Sequence, residues 1–204
     1  MSVTALPNQA DSEAIVASFR ALPCADVADG LLRLGLVGIV QGIAPLDPRW
    51  TVCGRAVTVR HVPLQDRSLW SGDATNLAKL LPLCQPEDIV VVDVGGRMDV
   101  GIFGSIAARE AKEFGLGGFI IDGACRDTQE IVDADCPTFV RGACLNYPTY
   151  LRPCCLNSEP IQIGVPPNAA SVNPGDIIMG DKDGIVVVPA DRAAAVLDAA
   201  RQSH

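Results

Sequence analysis

An arginine and an aspartate stand side by side at Arg126 and Asp127, shortly after the apolar run 118–122. A planar guanidinium can bind a carboxylate through two parallel hydrogen bonds. An aspartate carboxylate supplies the hard oxygen that Mg²⁺ or Mn²⁺ prefers. The pair is therefore a candidate site for a carboxylic acid and a divalent cation. The alternative interpretation is structural, with Asp127 capping the next helix and Arg126 in a surface ion pair.

A second candidate segment, residues 93–105, contains glycines at positions 95, 96, 101 and 104. Glycines let the backbone approach a ligand closely, and a helix that begins near Gly104 offers free N–H groups that favour a carboxylate or phosphate. The spacing matches neither the G-x-G-x-x-G fingerprint nor a P-loop. The alternative interpretation is that these glycines only form turns.

Both segments follow apolar strands in a regular part of the chain. The pattern predicts strands at 88–94, 118–122 and 138–141, with helices at 104–114 and 127–133 between them. Such a β-α-β-α-β run implies parallel strands joined by right-handed crossovers. Functional residues gather at the carboxyl ends of parallel strands, so both candidate segments are expected at one edge of the sheet.

The remaining elements complete an α/β fold of one domain over residues 1–204, with N-terminal helices at about 11–35, a core at about 51–189 and a C-terminal helix at about 190–202. Helical spacing predicts helices at 11–22, 25–34, 71–81 and 190–201, with Asp11 or Ser12 capping the first and Pro82 ending the third. Strands are predicted at 51–62, 161–165, 176–179 and 185–188. The sequence Asp181-Lys182-Asp183-Gly184 predicts a turn.

Composition narrows the class of function. The formal net charge of −8 argues against broad binding to nucleic-acid phosphate, which needs clustered Lys and Arg. The first twenty residues lack the apolar core of a secretory signal, and no run is long enough to predict a membrane span. We therefore expect a cytoplasmic protein with a small-molecule ligand, no nucleic-acid partner and no membrane contact.

Eight cysteines raise the alternatives of a disulfide framework and a metal cluster. No C-x-x-C pair occurs, and only His61 and His204 could add ring nitrogens, so a structural zinc site is not favoured. Adjacent Cys154 and Cys155 are expected to be poorly placed to chelate one ion. The pattern indicates reduced thiols that are mostly buried or half-buried.

The segment from Asp93 to Glu130 resembles a family that contains 4-hydroxy-4-methyl-2-oxoglutarate/4-carboxy-4-hydroxy-2-oxoadipate aldolases and the regulator of ribonuclease activity A. The matching elements are Gly104 at a helix start, the paired glycines of GLGG, and DGACRD (122–127). The segment 180–189 resembles the last strand pair of the family. The likeness extends from about residue 13 to about residue 200.

The resemblance implies a swivelling β/β/α domain with a mostly parallel central sheet, assembled as a homotrimer or hexamer with sites between subunits. It implies a metal-dependent (class II) pyruvate aldolase with oxaloacetate decarboxylase activity. Arg126 would be catalytic and would bind the substrate, a small 2-oxo acid. Asp127 would bind Mg²⁺ or Mn²⁺. The backbone of Gly104, Ser105, Ile106 and Ala107 would bind the substrate carboxylate.

Chemistry supports a metal over an imine. Cleavage of a 4-hydroxy-2-oxo acid, or loss of CO₂ from oxaloacetate, leaves the enolate of pyruvate, whose charge a cation and Arg126 can stabilise. An imine would need a lysine, but Lys79, Lys112 and Lys182 all fall on predicted helix or turn surfaces.

The sequence departs from the family at two positions. Ser105 stands where aldolase members commonly carry an acid, which leaves the proton donor open. Arg97 replaces an acidic or polar residue, and we hypothesise that it selects a second substrate carboxylate. Asp191 or Asp198 could replace acids that the family carries near its C terminus. His61 is either a proton shuttle or, as the favoured interpretation, an ordinary strand histidine.

Two other functions remain open at this point. The first is a binding protein that regulates a ribonuclease without catalysis, since such proteins share the fold; the presence of Asp127 favours the enzyme. The second is a quinone-precursor methyltransferase, which would need a nucleotide-binding G-x-G turn that this sequence lacks in its first strand region.

Overall fold

The computed structural model describes residues 9–65, 77–147 and 149–202. The helices in these ranges are α1 (Gln9–Arg20), α2 (Cys24–Arg33), α3 (Leu77–Leu80), α4 (Ser105–Phe114), α5 (Thr128–Asp133) and α6 (Ala193–Arg201). Short 3₁₀ turns occupy Leu81–Leu83 and Ala190–Arg192. No described helix is both long enough and apolar enough to cross a bilayer.

The strands form one large mixed sheet and a separate hairpin. They are β1 (Ile39–Val40), β2 (Ala44–Pro45), β3 (Val52–Pro63), β4 (Ile89–Gly101), β5 (Gly118–Cys125), β6 (Thr138–Ala143), β7 (Leu151–Leu156), β8 (Ile161–Val165), β9 (Asn168–Val172), β10 (Ile177–Asp181) and β11 (Gly184–Val188). The large sheet has the order β1-β11-β10-β3-β4-β5-β6-β2, and β7 pairs with β3. Its centre, β3-β4-β5-β6, is parallel, and the outer strands are antiparallel. The hairpin consists of β8 and β9.

The central strands are apolar throughout because both faces of the sheet are covered. In β4, Val90 and Val92 pack with α3, α4 and α5, whereas Ile89 and Val91 face the other way, toward the β8–β9 hairpin. Successive side chains of a strand point to opposite faces, which explains this division. Complete burial of one such side chain stabilises the fold by about 1.5–3 kcal/mol.

A third apolar cluster lies outside these two layers. It joins α1, α2 and α6 to β10 and β11 through side chains such as Phe19, Leu31 and Val196, all of which are fully buried. Gly30 lets α2 approach α6, because a Cβ at this position would lie 2.9 Å from the backbone nitrogen of Ala200. Both terminal segments are thereby packed onto the antiparallel side of the sheet.

The fold expectation is confirmed in its main features. Strands β4, β5 and β6 are parallel and alternate with α4 and α5, and Asp93 pairs directly with Asp122. The predicted turn connects β10 to β11, where Asp181 pairs with Gly184. Helix α4 ends at Gly115, whose φ of +90° is in the left-handed region that glycine adopts readily.

Several boundaries were wrong. Helix α1 begins at Gln9, so neither Asp11 nor Ser12 occupies its N-cap position. The helix predicted over 71–81 is described only from residue 77, and it passes into a 3₁₀ turn that includes Pro82; its earlier part lies outside the described residues. Strand β4 does not stop at residue 94. Its pairing with β5 is interrupted after Asp93, resumes at Arg97 and ends at Gly101.

Candidate functional site

A cleft of about 430 Å³ lies where β4 and β5 lead into their helices. Its described walls include the predicted residues Gly104, Ser105, Ile106, Ala107, Arg126 and Asp127. The volume falls within the range of about 300–1,000 Å³ that is typical of small-molecule sites. The two candidate segments of the sequence therefore meet in one cavity.

Backbone hydrogen bonds fix the two strand ends against each other. The Ile102 N–H donates to the Ala124 carbonyl at 3.0 Å, and the Arg126 N–H donates to the Phe103 carbonyl at 2.9 Å. Gly101 is closely covered, since a Cβ there would lie 2.6 Å from the Cys144 carbonyl oxygen. The segments before α4 and α5 are thus held as one rigid frame.

Asp127 occupies the N-cap position of α5 but does not cap that helix with its side chain. Its backbone is left-handed, with φ +55° and ψ +42°, a region that aspartate and asparagine adopt more readily than most residues. The carboxylate faces α4 instead. Its Oδ2 accepts hydrogen bonds from the Ser105 N–H at 3.3 Å and from the Ser105 hydroxyl at 3.4 Å. The capping alternative is therefore wrong for this side chain.

Arg126 forms the ion pair with Asp127 itself, from Nε to Oδ1 at 3.2 Å. In the described part of the chain, no hydrogen bond uses the two terminal nitrogens of Arg126. The guanidinium carbon lies 5.6 Å from the ring centre of Tyr147, within range of a cation–π contact. Asp127 and Tyr147 therefore orient Arg126 from two sides, and its two terminal nitrogens remain as donors for a ligand.

The electrostatic balance keeps Asp127 ionised. Partial burial alone would raise the pKa of its carboxyl, but hydrogen bonds from Arg126 and Ser105, together with the charge of Arg126, lower that pKa below its ordinary value of 3.8. The side chain is 30% exposed, so a cation in the cleft can reach it. Asp127 therefore carries its negative charge at neutral pH.

Helix α4 presents open backbone donors because its N-cap is a glycine. Gly104 has no side chain with which to cap the first turn, so the N–H groups of Ile106 and Ala107 remain available to a ligand. The absence of a side chain is also sterically required. A Cβ at Gly104 would lie 2.9 Å from Oδ2 of Asp127 and 3.3 Å from Cγ of Arg126.

A metal at this site would take few ligands from the protein. Among residues 9–65, 77–147 and 149–202, no group of three or more His, Cys, Asp or Glu side chains is arranged to hold an ion. Mg²⁺ commonly uses only one or two carboxylates and completes its octahedron with water and substrate oxygens. The single ionised carboxylate of Asp127, beside an open cleft, fits that mode of binding.

Other residues that the sequence singled out lie away from the cleft walls. Arg97 forms an ion pair with Asp99 at 2.7 Å and also contacts the Tyr150 hydroxyl, so its guanidinium is occupied. Gly95 and Gly96 lie in the interruption of β4 rather than in the cleft. His61 is a buried strand residue that borders a separate apolar void of about 20 Å³. Neither Asp191 nor Asp198 lines the cleft.

The three lysines also lie apart from it. Lys112 pairs with Asp135 and Lys182 pairs with Asp183, both at the surface, and Lys79 is exposed on α3. None of them is among the residues that line the described part of the cleft. An imine mechanism therefore has no amine in position there.

Two polar residues of the described cleft wall were missed from the sequence. Glu110 lies three residues after Ala107 on α4, and helical spacing would have placed both on one face. Tyr147 reaches Arg126 from the loop between β6 and β7, about twenty residues away in sequence, and no local pattern marked it.

Comparison with known proteins gives a consistent result. The sequence model of the RraA-like family, described as Aldolase/RraA, matches residues 24–187. A protein of Halalkalibacterium halodurans named "Putative 4-hydroxy-4-methyl-2-oxoglutarate aldolase" is 31% identical over 189 residues, which is 93% of this chain and 83% of that protein.

Solved structures share the same architecture. Streptomyces coelicolor RraAS2, titled an unusual member of the RNase ES inhibitor RraA protein family, superposes with a TM-score of 0.82 and 26% identity, over 97% of this chain and 94% of its own. A structure titled S-adenosylmethionine: 2-dimethylmenaquinone methyltransferase, from Geobacillus kaustophilus, has a TM-score of 0.63 and 23% identity, covering 85% and 98% of the two chains. The second likeness concerns the fold alone.

Proposed function

Because this chain belongs to the RraA-like (Aldolase/RraA) family, we propose that it is a divalent-metal-dependent lyase. Its substrate is a small 2-oxo mono- or dicarboxylic acid, and cleavage of a carbon–carbon bond in that acid releases pyruvate. One observation carries the proposal: Arg126, the ionised Asp127 and the uncapped start of α4 face a single cleft. Aldol cleavage of 4-hydroxy-4-methyl-2-oxoglutarate and decarboxylation of oxaloacetate are the two reactions that we assign to it.

Anion binding is the role of Arg126 and the start of α4. The terminal nitrogens of Arg126 hydrogen-bond the carboxylate and keto oxygens of the pyruvyl part. The backbone of Gly104, Ser105, Ile106 and Ala107 lines the same wall, and the N–H groups at positions 106 and 107 donate to the substrate carboxylate. A helix start favours such an anion through both its free donors and its dipole.

Asp127 is the residue that holds Mg²⁺ or Mn²⁺. When bound, the cation would supply Lewis-acid stabilisation of the negative charge that develops on the substrate. The hydrogen bonds from Ser105 and Arg126 keep Asp127 ionised and fix the direction of its carboxylate.

The chemical step leaves an electron pair on the carbon next to the keto group, which forms the enolate of pyruvate. Arg126 supports that charge because its donors are already aimed at the cleft and need no reorganisation. Proton transfer requires a further group, since the hydroxyl of Ser105 is a poor base at neutral pH. Glu110, a second carboxylate in the cleft wall, is the residue to which we assign it.

The proposed assembly is a homotrimer or hexamer in the cytoplasm with its sites between subunits. Three large exposed side chains favour a contact with a second copy. Ile106 and Tyr147, which line the cleft, are 73% and 45% exposed, and Leu145, two residues before Tyr147 in the chain, is 90% exposed. Exposed apolar groups near one another commonly mark interfaces. The net charge of −8 is unfavourable for a nucleic-acid partner.

The test of this proposal is pyruvate release, measured separately from oxaloacetate and from 4-hydroxy-4-methyl-2-oxoglutarate. We expect the purified chain to release pyruvate with Mg²⁺ or Mn²⁺. In EDTA the rate should fall at least about 100-fold, because the Lewis acid contributes several kcal/mol of transition-state stabilisation. Re-addition of the cation in excess of EDTA should restore the rate. Release that ignores EDTA would contradict the mechanism, and no release from either compound would favour a non-catalytic, ribonuclease-regulator-like binding role.

A further inference from the structure

Two adjacent cysteines in β7 bring their sulfur atoms together. The Sγ atoms of Cys154 and Cys155 lie 3.5 Å apart. Successive residues of a regular strand point to opposite faces, and the sequence predicted a pair poorly placed to chelate one ion. The sulfurs nevertheless lie close together, and the pairing of β7 with β3 explains why.

A β-bulge turns the two thiols toward each other. Pro153 pairs with His61 and Cys155 pairs with Arg60, so Cys154 is an extra residue without a partner in the ladder. An extra residue of this kind bends its strand and redirects the side chain that it carries. The backbone of β7 therefore determines that the two sulfur atoms lie close together.

The two thiols differ in exposure in a way that suits capture of a ligand from solvent. Cys154 is exposed, whereas Cys155 is only 7% exposed and is held in the sheet. A ligand can meet Cys154 first and then reach Cys155 with little rearrangement. Of the remaining thiols, Cys84, Cys125 and Cys136 are buried, and Cys24, Cys53 and Cys144 are half-buried.

Different ligands require different separations of the two sulfurs. A disulfide between neighbours would be strained, since adjacent Cα atoms are about 3.8 Å apart and disulfides need about 4.4–6.8 Å. With a metal–sulfur bond of about 2.3 Å, a tetrahedral ion separates two sulfurs by about 3.8 Å and a linear one by about 4.6 Å. Trivalent arsenic is pyramidal with a narrower angle at the metalloid, which brings its sulfurs closer together, as they are here.

We propose that Cys154 and Cys155 form a dithiol site that binds trivalent arsenic compounds of the type R–As(OH)₂. Two S–H and two As–OH bonds break, two As–S bonds form, and two waters leave, with no change of oxidation state. The inference rests on the geometry of β7 and is independent of the proposed lyase activity.

The protonation state of the site agrees with this condensation. A hydrogen bond with Glu159, followed by burial and the neighbouring Cys154, raises the pKa of Cys155 to about 12. Cys155 is therefore a neutral thiol at pH 7, and its proton leaves with the departing hydroxide as water. The thiolate is the reactive form both toward arsenic and in disulfide formation, so the raised pKa of Cys155 slows both reactions.

The test uses phenylarsine oxide and native mass spectrometry of the intact protein. We expect one phenylarsenic adduct per chain, with each addition losing two waters from the hydrated reagent. The adduct should survive an excess of a monothiol and be removed by a small dithiol, because two As–S bonds hold it. Cys154→Ser and Cys155→Ser should each weaken binding by at least about tenfold, since the second bond forms intramolecularly.

Cys24→Ser is the matched control. Cys24 and Cys53 are half-buried and line another surface cleft together, so they are the rival pair of thiols. The control should retain the adduct. Removal of the wild-type adduct by the monothiol would overturn the proposal, as would an unchanged affinity in both serine variants at 154 and 155. Cys154 is exposed, so Cys154→Ser identifies the site even if Cys155→Ser does not fold.

Discussion

Asp127→Asn should lower kcat/KM for cation-dependent pyruvate release by about 1,000-fold, because the loss of a Lewis acid that supplies several kcal/mol has an effect of that order. The substitution removes the negative charge, and the amide nitrogen that it introduces cannot accept the hydrogen bond from Nε of Arg126. Asparagine tolerates the left-handed backbone at φ +55°, and its side-chain oxygen can still accept from the Ser105 N–H. The expected loss is therefore one of cation binding and not of folding.

The measurement is kcat/KM against Mg²⁺ concentration, with circular dichroism and particle size compared between the variant and the wild type. Asp133→Asn is the matched control, because Asp133 is an exposed aspartate of α5 that does not line the cleft. It should retain the wild-type rate. If Asp127→Asn kept its response to Mg²⁺, another group would have to hold the cation.

Arg126→Ala should abolish turnover without unfolding the protein, and Arg126→Lys should restore little of it. Lysine keeps the positive charge but lacks the planar fork that binds a carboxylate at two points. We expect kcat/KM for Arg126→Lys to be about 100-fold below the wild type, which corresponds to about 2.7 kcal/mol of transition-state stabilisation. Arg109→Lys, an exposed arginine of α4 outside the cleft wall, is the control.

The Arg126 variants also predict a change in pH dependence. The hydrogen bond from Arg126 helps to lower the pKa of Asp127, so Arg126→Ala should raise that pKa toward its ordinary value. As pH falls, the variant should lose cation affinity at a higher pH than the wild type does, because Asp127 becomes protonated earlier. Titration of Mn²⁺ binding between pH 3 and 6 checks this, and identical midpoints would contradict the coupling.

The parallel core of the fold was predictable from sequence because its signals are local. Strands that are buried on both faces appear in the sequence as uninterrupted apolar runs. Gly115 marks the end of α4, because the left-handed φ at that position favours glycine. These patterns set the order β4-α4-β5-α5-β6. The order in turn placed Gly104 and Arg126 at neighbouring strand ends, which is how the cleft could be anticipated.

The features that escaped prediction depend on pairing between distant parts of the chain. Strand β4 resumes after Gly96 because Arg97 and Gly101 find partners in β5, which no pattern within β4 reveals. The bulge at Cys154 exists only relative to β3. Tyr147 approaches Arg126 because the loop carrying Asn146 is bonded to the Gly101 N–H at 2.9 Å. The sequence contains the residues that pair, but it does not reveal the register in which their strands pair.

The central claim is that one cleft holds an anion and a divalent cation together, and binding of oxalate tests it most directly. Oxalate is a planar dicarboxylate that resembles the enolate of pyruvate, so a site built for that enolate should bind it well. Isothermal titration calorimetry should show oxalate binding in Mg²⁺, a loss of at least about tenfold in affinity in EDTA, and no binding to Asp127→Asn or Arg126→Ala. Equal affinity for oxalate with Mg²⁺ and with EDTA would contradict the account.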